Sequence, residues 1–146
     1  MYILTVFAVA SSNGIGAVNT IINKNGVLYG YNTDFYGMKM LIEKAGINIK
    51  NKTVAILGSG GTSKTANAVV KFLGANAVYK VSRNAQGDFI SYDGLYDISD
   101  NIEVIINTTP VGMYPDIYNS AVDVKRFKNL SGVVDAVYNP LRSKIV

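Results

Sequence analysis

The sequence predicts an α/β protein built on a doubly wound parallel sheet. Three observations carry that expectation. From residue 54 onward, short apolar runs alternate with helical patterns, the order that builds βαβ units. The runs at 54–57 and 78–81 read as strands, and those at 104–106 and Val133-Val134 continuing to Val137 as apolar runs that suit strands buried on both faces. Residues 53–65 read TVAILGSGGTSKT: a β-branched run, a glycine-rich turn and the start of a helix. That arrangement binds phosphate, because free backbone N–H groups and the positive end of the helix dipole converge there.

Each element follows from its local pattern. The opening MYILTVFAVA is apolar but too short to span a bilayer, and it lacks the basic start of a signal peptide. It reads as an edge strand, or as a ragged start where upstream sequence is lost. Residues 17–22 and 27–31 are β-prone and flank Asn23-Lys24-Asn25-Gly26, a hairpin composition. Phe35, Met38, Leu41, Ile42 and Ala45 recur at helical spacing up to Gly46. After the strand at 54–57, Ala66, Val69, Val70 and Leu73 mark one face of a second helix, which Gly74 ends. Residues 88–101 are weakly patterned and are assigned a short strand and a turn of helix. The domain break falls near residues 32–46, giving units at 1–45 and 46–146.

Composition excludes several classes of function. A chain of 146 residues, 49% apolar and 16% charged, suits one compact domain, or one domain with a remnant of another. Its net charge of +4 is scattered, with no Lys/Arg run of the kind that binds nucleic acid. Small anionic molecules are the better partners, and neither nucleic acid nor membrane is expected. Cysteine is absent, which rules out thiolate nucleophiles and suits a cytoplasmic location. Histidine is absent too, so any acid–base chemistry runs through Asp, Glu, Lys or Tyr.

Two phosphate motifs compete for residues 58–65. The dinucleotide pattern G-x-G-x-x-G matches Gly58 and Gly60 but has Ser63 as its third position, while Gly61 adds a different glycine. The P-loop pattern matches Gly58, Lys64 and Thr65 and fails at the same Ser63. It also wants an Asp ending a later strand to hold magnesium, and Asp135 is expected inside its strand. A plain strand-to-helix turn is the remaining reading. The second strand helps to decide: about 20 residues beyond the glycines, where NAD proteins place an acid, stand Ser82, Arg83 and Asn84. A guanidinium fork suits a phosphate, so NADP is the expected cofactor.

Before the first helix stands Gly30-Tyr31-Asn32-Thr33-Asp34. Spacing alone favours helix capping by Thr33 and Asp34. Asn19-Thr20 on the partner strand has an equally plain reading as a polar strand position. Taken together, Asn19 and Asp34 both have the means to face the cleft between hairpin and sheet, where an Asp can handle protons.

These residues resemble the shikimate dehydrogenase family. Ile15-Gly16-Ala17-Val18-Asn19-Thr20 and residues 30–34 are similar to its substrate-side signature. Gly58-Ser59-Gly60-Gly61 is similar to its nucleotide loop, and Ser82-Arg83-Asn84 to its NADP-selecting turn. Asn107-Thr108-Thr109-Pro110-Val111-Gly112-Met113 and Asp135-Ala136-Val137-Tyr138-Asn139-Pro140 resemble its two later signatures. The resemblance implies a Rossmann-like nucleotide domain, a remnant of a smaller α/β substrate domain, and NADPH-dependent reduction of 3-dehydroshikimate to shikimate in aromatic amino acid biosynthesis. It implies that Asn19 and Asp34 bind substrate hydroxyls, that Asp34 is catalytic, and that Tyr138 reaches the substrate. Gly58, Ser59, Gly60, Gly61 and Thr62 are then the pyrophosphate cradle, Ser82, Arg83 and Asn84 hold the adenosine phosphate, and Ala136 lies near the nicotinamide.

The chain also departs from that family. The serine-rich carboxylate loop and the Thr-x-Pro-x-Lys segment that carries the catalytic lysine are not present, and residues 1–14 do not resemble the family. The chain stops before the last sheet strand and the closing helix. A central fragment is therefore expected, binding NADP(H) without turnover or acting as a non-catalytic module. Apolar residues at its ends, Leu4, Phe7 and Ile145, are expected to be exposed and to favour a homodimer or aggregation.

Overall fold

The computed structural model describes residue 15 and residues 17–146 in full, and the backbone of residues 6–8. Leu4, Gly16 and the side chain of Phe7 lie outside the described residues.

Strands β1 (Val6–Ala8), β2 (Thr20–Lys24) and β3 (Val27–Tyr31) form a small sheet in the order β1-β3-β2. The backbone of β1 pairs parallel with β3 at one edge, as the edge-strand reading of the opening segment expects. β2 and β3 pair antiparallel around Asn25 and Gly26, whose φ angles of 52° and 85° suit a two-residue hairpin turn. Asn23 Oδ1 accepts from the Gly26 amide at 2.9 Å. The turn thus uses two residues rather than four, and β2 lies later in the chain than residues 17–22.

Helix α1 (Asp34–Lys44) follows and ends at Ala45, with Gly46 at φ 68°. The main sheet then unrolls as β4 (Thr53–Leu57), α2 (Gly61–Phe72), β5 (Ala77–Val81), β6 (Phe89–Ile90), α3 (Tyr92–Asp97), β7 (Val104–Asn107) and β8 (Gly132–Asp135). All five of its strands are parallel, in the order β6-β5-β4-β7-β8. This is the doubly wound, Rossmann-like arrangement that the alternation predicts, and β6 with α3 supplies the short strand and helix expected in residues 88–101.

Side chains on successive strand residues point to opposite faces, so a continuously apolar strand feeds two cores. On one side of the sheet Val54 and Ile56 pack with Ile42 of α1, Ala66, Val69 and Val70 of α2, and Val104 and Ile106 of β7. On the other, Ala55 and Leu57 pack with Val81, Leu95, Ile102, Ile105 and Phe127. Each full burial of this kind contributes about 1.5–3 kcal/mol against an exposed side chain.

Three expectations are corrected. Ile145 is 4% exposed and packs in the second of these cores, so it does not supply a bare apolar edge. β8 stops at Asp135 rather than at Val137, because the Asp135 carboxylate turns the chain by accepting the Val137 amide at 3.0 Å. Asp135 consequently ends its strand and does not sit within it. No helix among the described residues is long and apolar enough to cross a membrane.

Candidate functional site

The strand order reverses at β4: the chain leaves β4 toward β5 on one side and returns to β7 on the other. Crevices at such a switch point, beyond the carboxyl ends of the strands, are where open α/β sheets bind ligands. A cleft of about 590 Å³ opens there. One wall is Gly58, Ser59 and Gly60 after β4, with Ser82, Arg83 and Asn84 after β5; Thr108, Thr109 and Pro110 after β7 and Tyr92 of α3 complete it.

The glycines in this turn have different tasks. Gly58 has φ +113°, and its N–H donates to Val81 O at 2.8 Å, so that amide is not free for a ligand. Gly60 is extended (φ −81°, ψ −170°), and a β-carbon placed there meets no atom within 4 Å. The Ser59 and Gly60 amides have no partner among the described residues. An open space over bare amides, at the start of α2, is the cradle that a phosphate group fits. Gly61 and Thr62 open α2 without lining the cleft. A β-carbon on Gly61 would meet Ala17 Cβ at 3.9 Å, an ordinary contact.

On the same wall, the Asn84 amide donates to Ser82 Oγ at 3.3 Å, which closes the turn that presents Arg83. Arg83 is exposed, and no described carboxylate pairs with it. Tyr92 lies close enough to feel it: burial pushes the Tyr92 phenol up, and the Arg83 guanidinium opposes that shift. This side of the cleft therefore carries an unpaired cation beside an aromatic wall.

The β7 side is held by a buried polar network. Asn107, fully buried, donates from Nδ2 to Asp135 Oδ1 at 2.9 Å and accepts from Thr109 N and Oγ1 at 3.1 and 2.7 Å. Thr108 donates to Leu57 O from its amide at 2.9 Å and from its hydroxyl at 2.5 Å. Asp135 also accepts from the Val137 amide and from the Ser143 hydroxyl. Both of its oxygens are thus engaged by protein donors. Although it ends a strand, it does not offer the free carboxylate that a P-loop's magnesium requires.

On the hairpin side the capping expectation is corrected. Thr33 makes no side-chain cap; Asn32 does, its Oδ1 accepting the Phe35 amide at 3.1 Å. Thr33 instead donates to Asn19 Oδ1 from its amide at 3.0 Å and its hydroxyl at 3.2 Å. Asn19 is thereby fixed against the residue that precedes Asp34, and Asp34 is exposed at the first turn of α1. Ala136 is exposed, with its amide donating to Asn107 O at 2.9 Å. Tyr138 is 82% exposed and makes no hydrogen bond among the described residues. Asn19, Asp34, Ala136 and Tyr138 do not line the cleft.

Sequence reading missed Tyr92, and it met Asn32, Thr108 and Thr109 only inside longer signatures, with no role assigned to them. The Thr-Thr-Pro run directly after an apolar strand is the signal for the last two, since strand ends at a switch point face the ligand crevice. Tyr92 offered no signal, because its segment has weak periodicity.

No protein-family model matches the chain. Among curated proteins it is similar to a shikimate dehydrogenase (NADP(+)) of Clostridium perfringens, 39% identical over 145 residues that cover 92% of this chain and 53% of that protein. Among solved structures it is similar to a chorismate mutase/shikimate 5-dehydrogenase fusion protein from Clostridium acetobutylicum. The TM-score is 0.82 at 34% identity, over 97% of this chain and 54% of that one. A shikimate 5-dehydrogenase from Thermus thermophilus, solved in complex with NADP(H) and shikimate, gives a TM-score of 0.77 at 26% identity, over 94% of this chain and 53% of that one. The chain spans about half the length of the curated relatives it matches. Along nearly its whole length, then, this chain is similar to shikimate dehydrogenases, and it aligns with about half of each.

Proposed function

We propose that the chain is the NADP(H)-binding part of a shikimate dehydrogenase, serving the reduction of 3-dehydroshikimate to shikimate in aromatic amino acid biosynthesis. The observation that carries this reading is the cleft at the switch point. It brings the open amides at Ser59 and Gly60 and the unpaired guanidinium of Arg83 into one crevice. The Thermus relative, which aligns over 94% of this chain, binds both NADP(H) and shikimate.

In this reading Ser59 and Gly60 hold the pyrophosphate with the first turn of α2, where Gly61 and Thr62 stand, and Gly58 shapes the turn. Arg83, with Ser82 and Asn84, binds the 2′-phosphate and so selects NADP over NAD. Tyr92 flanks the adenosine. Ala136 lies toward the nicotinamide, which supplies the hydride when bound. Asn19 and Asp34 bind substrate hydroxyls, Asp34 holds a proton near the reacting carbonyl, and Tyr138 closes over the substrate from a segment that is now bare. Residues 1–45 are the substrate-side unit and residues 46–146 the nucleotide unit. A cytoplasmic location and a homodimer complete the proposal.

Titration of the chain with NADPH, followed by nucleotide fluorescence, is the direct test. Saturable binding that is much weaker for NADH supports the reading. Magnesium-dependent ATP binding with no response to NADPH would overturn it.

A further inference from the structure

Asn32 has no task in the reading above, yet it is 2% exposed, and both polar atoms of its side chain have partners. Nδ2 donates to Ala17 O at 3.1 Å and to Thr65 Oγ1 at 2.9 Å, while Oδ1 accepts from the Phe35 amide. The orientation of the amide follows from its partners: a carbonyl can only accept and a backbone N–H can only donate. Thr65, 1% exposed, passes the chain of bonds onward by donating its hydroxyl to Gly61 O at 3.3 Å.

The two ends of this chain of bonds lie on different parts of the proposed site. Gly61 O belongs to the first turn of α2, next to Gly60 of the glycine loop. Asn32 directly precedes Thr33, which holds Asn19 and adjoins Asp34. Ala17, the other acceptor for Asn32, is also the residue closest to where a Gly61 side chain would be. The base of the hairpin therefore rests on the start of α2, and Asn32 stands one bond from each.

We propose that Asn32 and Thr65 are a positioning pair, which fixes the glycine loop against the Asn19–Thr33–Asp34 cluster so that nucleotide and substrate sides keep one geometry. Neither residue lines the cleft, so the pair acts through Gly61 and the loop amides and not by touching a ligand. The inference rests on the dinucleotide reading of the cleft. A buried hydrogen bond in series with a part-buried one holds its members more tightly than surface bonds would, because breaking the buried one strands a polar group away from water.

The test uses the whole chain as wild type, Thr65→Ser, Thr65→Val and Asn32→Ala, each titrated with NADPH and with NADH. Valine copies the shape of threonine without its hydroxyl, and serine keeps the hydroxyl. Thr65→Val and Asn32→Ala are expected to weaken both nucleotides by the same factor, about threefold to tenfold, with Thr65→Ser near wild type. A purely local packing role would not follow the hydroxyl in this way. Hydrogen exchange at the Lys64 and Thr65 amides is expected to quicken in Thr65→Val and Asn32→Ala and to stay slow in Thr65→Ser.

Unchanged affinity in Thr65→Val, weakening that serine does not rescue, or weakening confined to NADPH would each overturn the proposal. If wild type binds neither nucleotide, the dinucleotide reading fails on its own, and exchange still decides the pair. Unchanged protection at Lys64 and Thr65 in the valine variant then rejects it. Should Asn32→Ala not fold, the two Thr65 variants carry the experiment.

Discussion

A β-carbon on residue 58 would lie 2.7 Å from Oγ1 of Thr108, inside any contact two such atoms sustain. The Thr108 hydroxyl cannot give way easily, since it and its own amide both donate to Leu57 O. The turn after β4 is therefore locked to the end of β7, and the two walls of the cleft share one set of bonds.

That lock separates the roles of two glycines. Gly58→Ala adds both this clash and a left-handed backbone strain, and is expected to cost about 2 kcal/mol or more of stability. Gly60→Ala meets open space at a permitted φ and is expected to leave the urea midpoint nearly unchanged. Its methyl would fill the room that a pyrophosphate needs, so NADPH affinity is expected to drop about tenfold or more. Urea unfolding and fluorescence titration of the two variants check the contrast.

Arg83→Ala is expected to weaken NADPH by about tenfold to a hundredfold and NADH hardly at all, because charge-assisted hydrogen bonds to one phosphate are lost. Equal loss for the two nucleotides would place Arg83 away from the 2′-phosphate. Raising the salt concentration should narrow the NADPH advantage in wild type, since Arg83 is exposed and screened.

The isolated chain is expected to bind NADP without oxidising shikimate, because the Thr-x-Pro-x-Lys segment is not part of these 146 residues. Absorbance of NADPH formed from NADP and shikimate reads this directly, and clear turnover contradicts it.

Acid should unfold the chain partly through Glu103. A hydrogen bond from Lys52, then one from the Thr53 amide, hold its carboxyl below the ordinary value of 4.5, with burial opposing. The contacts are 2.7 Å to Lys52 Nζ and 3.0 Å to Thr53 N. A folded-state value below the unfolded one means that the stabilisation is present above pH 4.5 and is lost as pH falls through the lowered value. Glu103→Gln should therefore unfold at lower urea than wild type at neutral pH, with the gap closing in acid. A gap that does not narrow as pH falls below 4.5 would contradict this linkage.

The centre of the main sheet was legible because β4 and β7 are buried on both faces, so Val54, Ile56, Val104 and Ile106 announce themselves without any partner information. The glycine turn and Arg83 were legible for a related reason, since their chemistry needs particular residue types at fixed distances along the chain. Asn32 was not. Its partners Ala17, Phe35 and Thr65 lie at unrelated separations, and an Asn before a helix reads the same whether it faces solvent or a second sheet. The cap assigned to Thr33 failed for that reason: Asn32 Oδ1 reaches Phe35, which frees Thr33 to hold Asn19. Tyr138 and Asp34 remain bare in the folded chain, and nothing local in the sequence marks them as such.

The central place of β4 has a consequence for how the molecule comes together. β4 meets β5 through the neighbouring βαβ crossover, but its other edge must wait for Val104 to return to Val54. Pairings between residues so far apart in the chain assemble slowly, because the closure entropy of the intervening loop must be met before any bond repays it. Until then a largely apolar strand stands with one side open. The residue order that creates the crevice is thus expected also to delay closure of the sheet, which leaves that edge open to the wrong neighbour in the interval.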